Sequence, residues 1–166
     1  MLPEIKTILY ATSLEGDTSF KCRCRYALYL GQKTGATIHI LHVAEKLSDT
    51  AMTTLQTYIQ DFDNREKFLQ SRLKHAGQLL EERIDRFFES LDEQERTLRS
   101  HIGKLFVVEE EPARAIIKQA EKLDANLIVM GTHHKSAAVR TFLGSVSHRV
   151  LTLSNIPTLM VPTDAK

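Results

Sequence analysis

The stretch from Gly131 to Ser145, GTHHKSAAVRTFLGS, holds the residue types best suited to binding an anion. It follows the apolar run LIVM at 127–130 and precedes an amphipathic segment, which is the order strand, loop, helix. A buried strand that ends in such a loop, with Gly144 and Ser145 opening the next helix, places unpaired backbone N–H groups and the positive end of a helix at one point. The stretch therefore predicts a phosphate-binding site.

Other polar side chains follow the predicted strands without forming a catalytic arrangement. They are Ser13 after the first strand, Glu109, Glu110 and Glu111 after the third, and His133, His134 and Lys135 after the fourth. No nucleophile, general base and orienting group come together among them, so we predict no catalytic residues and no enzyme activity beyond slow hydrolysis of a bound ligand. His133, His134 and His42 invite a metal hypothesis. Adjacent loop histidines seldom bind one ion together, and no cysteine or carboxylate has diagnostic spacing, so we predict no metal site.

Length and composition indicate the general class of the protein. The chain has 166 residues, of which 42% are hydrophobic and 26% charged, and its formal net charge is +1. These values are typical of one soluble globular domain, residues 1–166, and give no electrostatic reason to expect nucleic-acid or membrane binding. Pro3, Glu4 and Lys6 stand where an apolar signal core would begin, so a cytoplasmic protein is expected.

Apolar patterns predict five strands and the helices between them. The strands are predicted at 5–11, 37–43, 101–109, 127–130 and 157–161, each short and apolar. Helices are predicted at 20–33, closed by Gly35, from Pro112 onward, and at 145–153. The alternation predicts an α/β fold, with an open, mostly parallel five-stranded sheet and helices on both faces.

The variable segment at about 48–99 is read as helical because its apolar residues recur every three or four positions from Met52 to Leu91. The pattern lapses near Asp61, which favours two helices or one kinked helix over a single rod. The stripe is expected to pack against the protein's own sheet, and a coiled-coil partner is the alternative.

Several segments together resemble the universal stress protein family over nearly the whole chain. They are ILYATSL, GATIHILHV, ANLIVMGTHH, GSVSHRVL and IPTLMVP. The resemblance implies an adenine nucleotide alpha hydrolase-like, Rossmann-like fold and a regulatory role in the stress response. In nucleotide-binding members the phosphate loop reads Gly, two residues, Gly, nine residues, Gly, then Ser or Thr. Gly131, Gly144 and Ser145 fit that pattern.

The resemblance also implies a residue-by-residue site for ATP with Mg²⁺. Ala11 and Val43 would flank the adenine, and Met130 and Gly131 would lie under the ribose. Gly144, Ser145 and Val146 would present N–H groups to the phosphates. Each residue also has a purely structural interpretation: the strand residues belong to the core, Gly131 ends a strand, and Ser145 is an N-cap.

Two positions depart from the family pattern. Ser13 stands where members that bind ATP commonly have an aspartate, and His134 stands at the middle glycine of the loop. Histidine carries a β-carbon that resists the positive φ open to glycine, and it can either fill the cradle or hydrogen-bond an anion. The alternative function is therefore a universal stress protein that binds no nucleotide and acts as a dimeric interaction protein.

The predicted closing strand ends in the apolar run Thr158 to Val161 and is expected at the edge of the sheet. The family resemblance implies that this edge pairs with its counterpart in a second subunit, and an uncovered apolar edge is otherwise prone to aggregation. We therefore predict a homodimer. The sequence does not identify another protein partner.

Overall fold

The computed structural model describes residues 1–14, 16–132 and 143–162. Its strands are β1 (Thr7–Thr12), β2 (Thr37–Ala44), β3 (Ile102–Glu109), β4 (Leu127–Gly131) and β5 (Thr158–Val161). Its helices are α1 (Asp17–Thr34), α2 (Asp49–Tyr58), α3 (Phe62–Glu89), α4 (Glu93–Arg96), α5 (Pro112–Lys122) and α6 (Ser145–Leu153), with a 3₁₀ turn at Thr97–His101. The predictions for His133 and His134 lie outside the described residues.

The five strands form one sheet in the order β3-β2-β1-β4-β5, and every neighbouring pair is parallel. This confirms the predicted α/β architecture. The chain leaves β1 toward β2 on one side and later returns to β4 on the other side. The strand order therefore reverses at β1, and such a reversal opens a crevice beyond the carboxyl ends of the strands.

Each face of the sheet has its own hydrophobic core, because the strands are buried on both sides. Tyr10, Phe20 and Phe87 lie in the core between the sheet and helices α1 and α3, with ring centroids 5.8 Å apart for Tyr10 and Phe20 and 6.2 Å apart for Phe20 and Phe87. Leu9 of β1 and Val150 of α6 lie in the second core, between the sheet and helices α5 and α6. Successive residues of β1 thus pack against different helical layers.

Three strands begin later than predicted, and β5 does so by one residue, at Thr158. β1 starts at Thr7 because the side-chain oxygen of Asn126 accepts the N–H groups of Lys6 and Thr7 at 2.8 and 2.9 Å. β3 starts at Ile102, since His101 belongs to the 3₁₀ turn. The short helix α4 lies within the segment of about 48–99 that was predicted to be helical, but neither it nor the turn was predicted as a separate element, because the charged sequence from 92 to 101 has no apolar stripe.

The helical segment contains two helices. α2 ends before Ile59, and Asp61 caps α3 by accepting the N–H of Asn64 at 2.9 Å. The expectation that the whole stripe packs on the sheet is wrong: α2 has no buried residue, and those of α3 begin only at Leu80. None of the described helices is long and apolar enough to cross a membrane.

His39 accepts a hydrogen bond at a β-bulge in the pairing between β2 and β3. The register passes from Ile38 beside Ile102 to Ile40 beside Leu105, so β3 has one extra residue. The N–H of Lys104 at this bulge donates to Nδ1 of His39 at 2.9 Å. This bond requires an unprotonated Nδ1, so protonation of the ring removes it.

The stability of the protein is expected to depend on the protonation of His39. Burial and the nearby charge of Lys104 lower its pKa in the folded protein. A lowered folded pKa means that the unfolded chain binds the proton more tightly, so the contribution is complete above the ordinary histidine pKa of about 6.5 and is lost as pH falls below it. Urea unfolding at pH 7.5 and pH 5 should show a smaller pH dependence in His39→Gln. An unchanged dependence would contradict this role.

Candidate functional site

Three predicted site residues lie together at the carboxyl edge of the sheet. Ala11, Val43 and Met130 come from β1, β2 and β4, the three strands at the reversal, and all belong to the core beneath α5 and α6. Ala11 and Met130 are buried, and Val43 is half-buried. The structure therefore brings these residues to one face of one edge.

Gly131 and the start of α6 are joined by a buried serine. The hydroxyl of Ser147, which is only 2% exposed, donates to the carbonyl oxygen of Gly131 at 3.2 Å. This bond fixes the first turn of α6 beside the end of β4. Sequence reasoning missed Ser147, and the only available signal was its position in the first turn of the helix that GSVS opens.

The first turn of α6 presents N–H groups that the helix itself leaves unpaired. The helix begins at Ser145, and Gly144 is its N-cap, with φ −59° and ψ 156° and no side-chain hydrogen bond. The interpretation of Ser145 as the N-cap is therefore wrong. Because a glycine cap has no side-chain oxygen, the N–H groups of Ser145, Val146 and Ser147 lack an acceptor from the cap side chain and from the helix. These groups and the helix dipole favour an anion at this end.

Ser13 contributes an unsatisfied hydroxyl close to the same edge. It directly follows β1, and its Oγ is buried with no hydrogen-bond partner among the described residues. A buried polar atom without a partner is costly, typically by about 1–3 kcal/mol, so a ligand atom that pairs with it is stabilised there. Unlike a carboxylate, the hydroxyl can both donate and accept.

Polar groups on the other face of the same edge are largely paired with one another. His42 Nδ1 lies 3.1 Å from the carbonyl oxygen of Thr12, so this nitrogen carries the proton and donates it. Burial lowers the pKa of His42, and the charge of Arg83 lowers it further. Arg83 is held by Asp17 at 3.2 Å. The imidazole of His42 is therefore neutral and held in place by its hydrogen bond to Thr12. Among the described residues, no nucleophile lies against it.

The acidic residues at the end of β3 and just after it form ion pairs with residues of the neighbouring helices. Glu109 pairs with Arg72 of α3 at 3.2 Å, and Glu111 pairs with Arg149 of α6 at 3.0 Å. Glu111 also caps α5, because its carboxylate accepts the N–H groups of Ala113 and Arg114 at 3.2 and 3.0 Å. These carboxylates hold the helices around the edge together. Within the described parts of the chain, no group of His, Cys, Asp and Glu is placed to hold a metal ion.

Comparison with known proteins identifies the family. The sequence profile of the Universal stress protein family matches residues 4–162. This chain belongs to the universal stress protein family. Universal stress protein YxiE of Bacillus subtilis is 29% identical over 136 residues, covering 81% of this chain and 85% of YxiE. Universal stress protein MJ0531 of Methanocaldococcus jannaschii is 46% identical over 55 residues, which are 33% of this chain and 32% of MJ0531.

Solved structures share the fold of this universal stress protein. Hypothetical protein MJ0577 superposes with a TM-score of 0.67 and 20% identity, covering 96% of this chain and 97% of that one. A universal stress protein solved in complex with cAMP gives a TM-score of 0.57 and 20% identity, covering 98% of this chain and 100% of that one. These similarities confirm the predicted fold. The match to MJ0531 spans about a third of that relative's length.

Proposed function

We propose that this universal stress protein is a regulatory module that binds an adenine nucleotide, ATP with Mg²⁺, at the carboxyl edge of its sheet. The observation that carries the proposal is the bond between Ser147 and Gly131, which sets the uncapped start of α6 beside the end of β4. An anion bound there meets unpaired N–H groups at the reversal in strand order. A universal stress protein of the same fold has been solved with cAMP, which supports an adenine nucleotide as the ligand.

The proposed contacts divide the nucleotide into three parts. Ala11 and Val43 pack against the adenine, Met130 and Gly131 lie under the ribose, and the phosphates accept N–H groups from the turn that follows Gly144. The proposed phosphate contacts are Gly144, Ser145 and Val146, and Ser13 pairs with the nucleoside. Mg²⁺ suits this arrangement because it prefers phosphate oxygens and water to a cage built only of protein ligands. We assign no catalytic residue, because His42 and Glu111 are engaged in structural bonds.

An alternative is a universal stress protein that binds no nucleotide and acts through protein association in the stress response. The presence of Ser13 in place of an aspartate favours it, because the site then lacks a carboxylate for the nucleoside. In this alternative His134 fills the cradle. The two functions therefore predict different effects of removing the His134 side chain. Only in the alternative would its removal create nucleotide binding that the wild type lacks.

Isothermal titration of Mg-ATP into wild type and His134→Gly distinguishes the two functions. The proposal expects wild type to bind with a dissociation constant in the micromolar range. The absence of binding heat from wild type, together with binding by His134→Gly, would contradict the proposal for the natural protein and identify His134 as the block. The control variant is His75→Gln, which replaces an exposed histidine of α3. His148→Gly would be unsuitable as a control because a glycine inside α6 weakens that helix.

We also propose a cytoplasmic homodimer formed through β5. This strand is at the edge of the sheet and pairs only with β4 within the described chain, so its outer side is open to a partner strand. Residues Thr158, Leu159 and Met160 are half-buried in the single chain. Light scattering at micromolar concentration tests the proposal, with the mass of a dimer expected and the mass of a monomer contradicting it.

A further inference from the structure

A buried arginine lies at the end of β4. Arg23 of α1 is only 4% exposed, although α1 is a surface helix with exposed Lys21 and Arg25 on either side of it. Its Nε donates to the carbonyl oxygen of Ser19 at 3.0 Å. In the portion of the chain that the structure describes, no carboxylate forms an ion pair with Arg23. A buried charge is costly unless another charge or hydrogen-bonding group compensates it.

The guanidinium of Arg23 packs directly against the backbone of Gly131. A β-carbon at Gly131 would lie 2.5 Å from Cζ and 2.7 Å from Cδ of Arg23, so a larger residue there would force the Arg23 side chain to move. The carbonyl of the same glycine accepts the Ser147 hydroxyl. Gly131 therefore lies between the Arg23 cation and the first turn of α6, whose N–H groups are also electropositive.

We infer that Arg23 is a buried countercharge for the phosphate chain of the ligand, and that the site selects polyphosphates over uncharged nucleosides. This inference rests on the proposed nucleotide site and adds its dependence on ligand charge. Arg23 acts across the Gly131 backbone and is a positioning residue, without direct contact to the ligand. Charges that are shielded from water interact over several ångströms with little screening by salt, which is what this role requires.

A purely structural role for Arg23 makes a different prediction. If the side chain only fills space beneath Gly131, its replacement changes the shape of the site and weakens every ligand by a similar factor. If its charge acts on the phosphates, the loss of affinity grows with the number of negative charges on the ligand. The dependence on ligand charge therefore separates the two roles.

The test compares neutral and charged replacements of Arg23 with a series of ligands. ATP, ADP, AMP and adenosine are titrated into wild type, Arg23→Gln and Arg23→Lys, and thermal unfolding is followed with tripolyphosphate. Arg23→Met, which keeps the apolar stem, replaces Arg23→Gln if the latter does not fold. Arg25→Gln is the matched control, because Arg25 is exposed on the same helix. We expect about tenfold weaker ATP binding in Arg23→Gln, a smaller loss for AMP and little change for adenosine.

The outcomes distinguish this inference from the proposed function. Retention of affinity in Arg23→Lys supports the role of charge. If wild type binds ATP and Arg23→Gln loses equal factors for ATP and adenosine, or none, the inference is overturned while the nucleotide proposal stands. If tripolyphosphate stabilises wild type in an Arg23-dependent way but ATP does not bind, the polyanion inference stands and the nucleotide proposal fails. Failure of both ligands to act on wild type overturns both.

Discussion

Gly144→Asp is expected to abolish measurable nucleotide affinity while leaving the protein at least as stable as wild type. Gly144 is the N-cap of α6 and has an extended backbone that any residue adopts. Aspartate is among the best N-cap residues, and its carboxylate accepts the N–H groups that glycine leaves unpaired. The substituted side chain thus occupies the proposed phosphate position and adds a like charge. We expect a loss of affinity of about 100-fold or more, equivalent to about 2.7 kcal/mol.

Two matched variants separate the causes of this loss. Gly144→Asn provides a similar cap without the charge, so its affinity should lie between those of wild type and Gly144→Asp. Thr152→Asp adds the same charge at an exposed position in the last turn of α6 and should bind normally. Calorimetry measures affinity, and thermal unfolding measures stability. Normal binding by a folded Gly144→Asp would exclude this end of α6 as the phosphate site.

Gly131→Ala is expected to destabilise the protein by about 1–3 kcal/mol, the usual range for an added methyl group in a packed interior. The reason is the close approach of Arg23, whose Cζ would be 2.5 Å from the new β-carbon. The clash should disappear when the arginine is shortened. In an Arg23→Ala background, the cost of Gly131→Ala should therefore fall by about 1 kcal/mol or more.

A double-mutant cycle measured by urea unfolding tests this coupling. The free energy of unfolding is determined for wild type, both single variants and the double variant. The same cycle with Arg25→Ala is the control, because that side chain points to solvent on the same helix and should show no coupling. Equal costs of Gly131→Ala in the wild-type and Arg23→Ala backgrounds would show that the two residues are not packed together.

Local patterns were sufficient to predict the fold because the five strands and the longer helices each have a clear signal. Continuous apolar runs marked the buried strands, and the apolar face of α6 with its Gly-Ser start placed that helix at Ser145–Leu153, as observed. The late starts of β1 and β3 were not predictable in this way. Asn126, from a distant part of the chain, accepts hydrogen bonds from the N–H groups of Lys6 and Thr7. Local sequence patterns cannot predict such a bond.

The sequence predicted several residues that the structure brings together at the carboxyl edge, but not the contacts that support them. Gly131, Gly144 and the strand ends were identified from their positions in the alternating pattern and from the family resemblance. The packing of Arg23 on Gly131 and the bond from Ser147 join residues that are far apart or on different elements. A helical arginine in the basic stretch from Lys21 to Arg25 looks like a surface residue, so its burial could only be found in the structure.

The most direct test of nucleotide binding at this edge is to locate the bound ligand. Backbone amide signals of the ¹⁵N-labelled protein are followed by NMR while Mg-ATP is added. If the nucleotide binds at this edge, the saturable shifts should be largest at Ser145, Val146 and Ser147 and also present at Gly131 and Ala11. Saturable shifts centred elsewhere, such as the groove lined by Asp85, Arg99 and Gly103, or no saturable shifts at all, would contradict it.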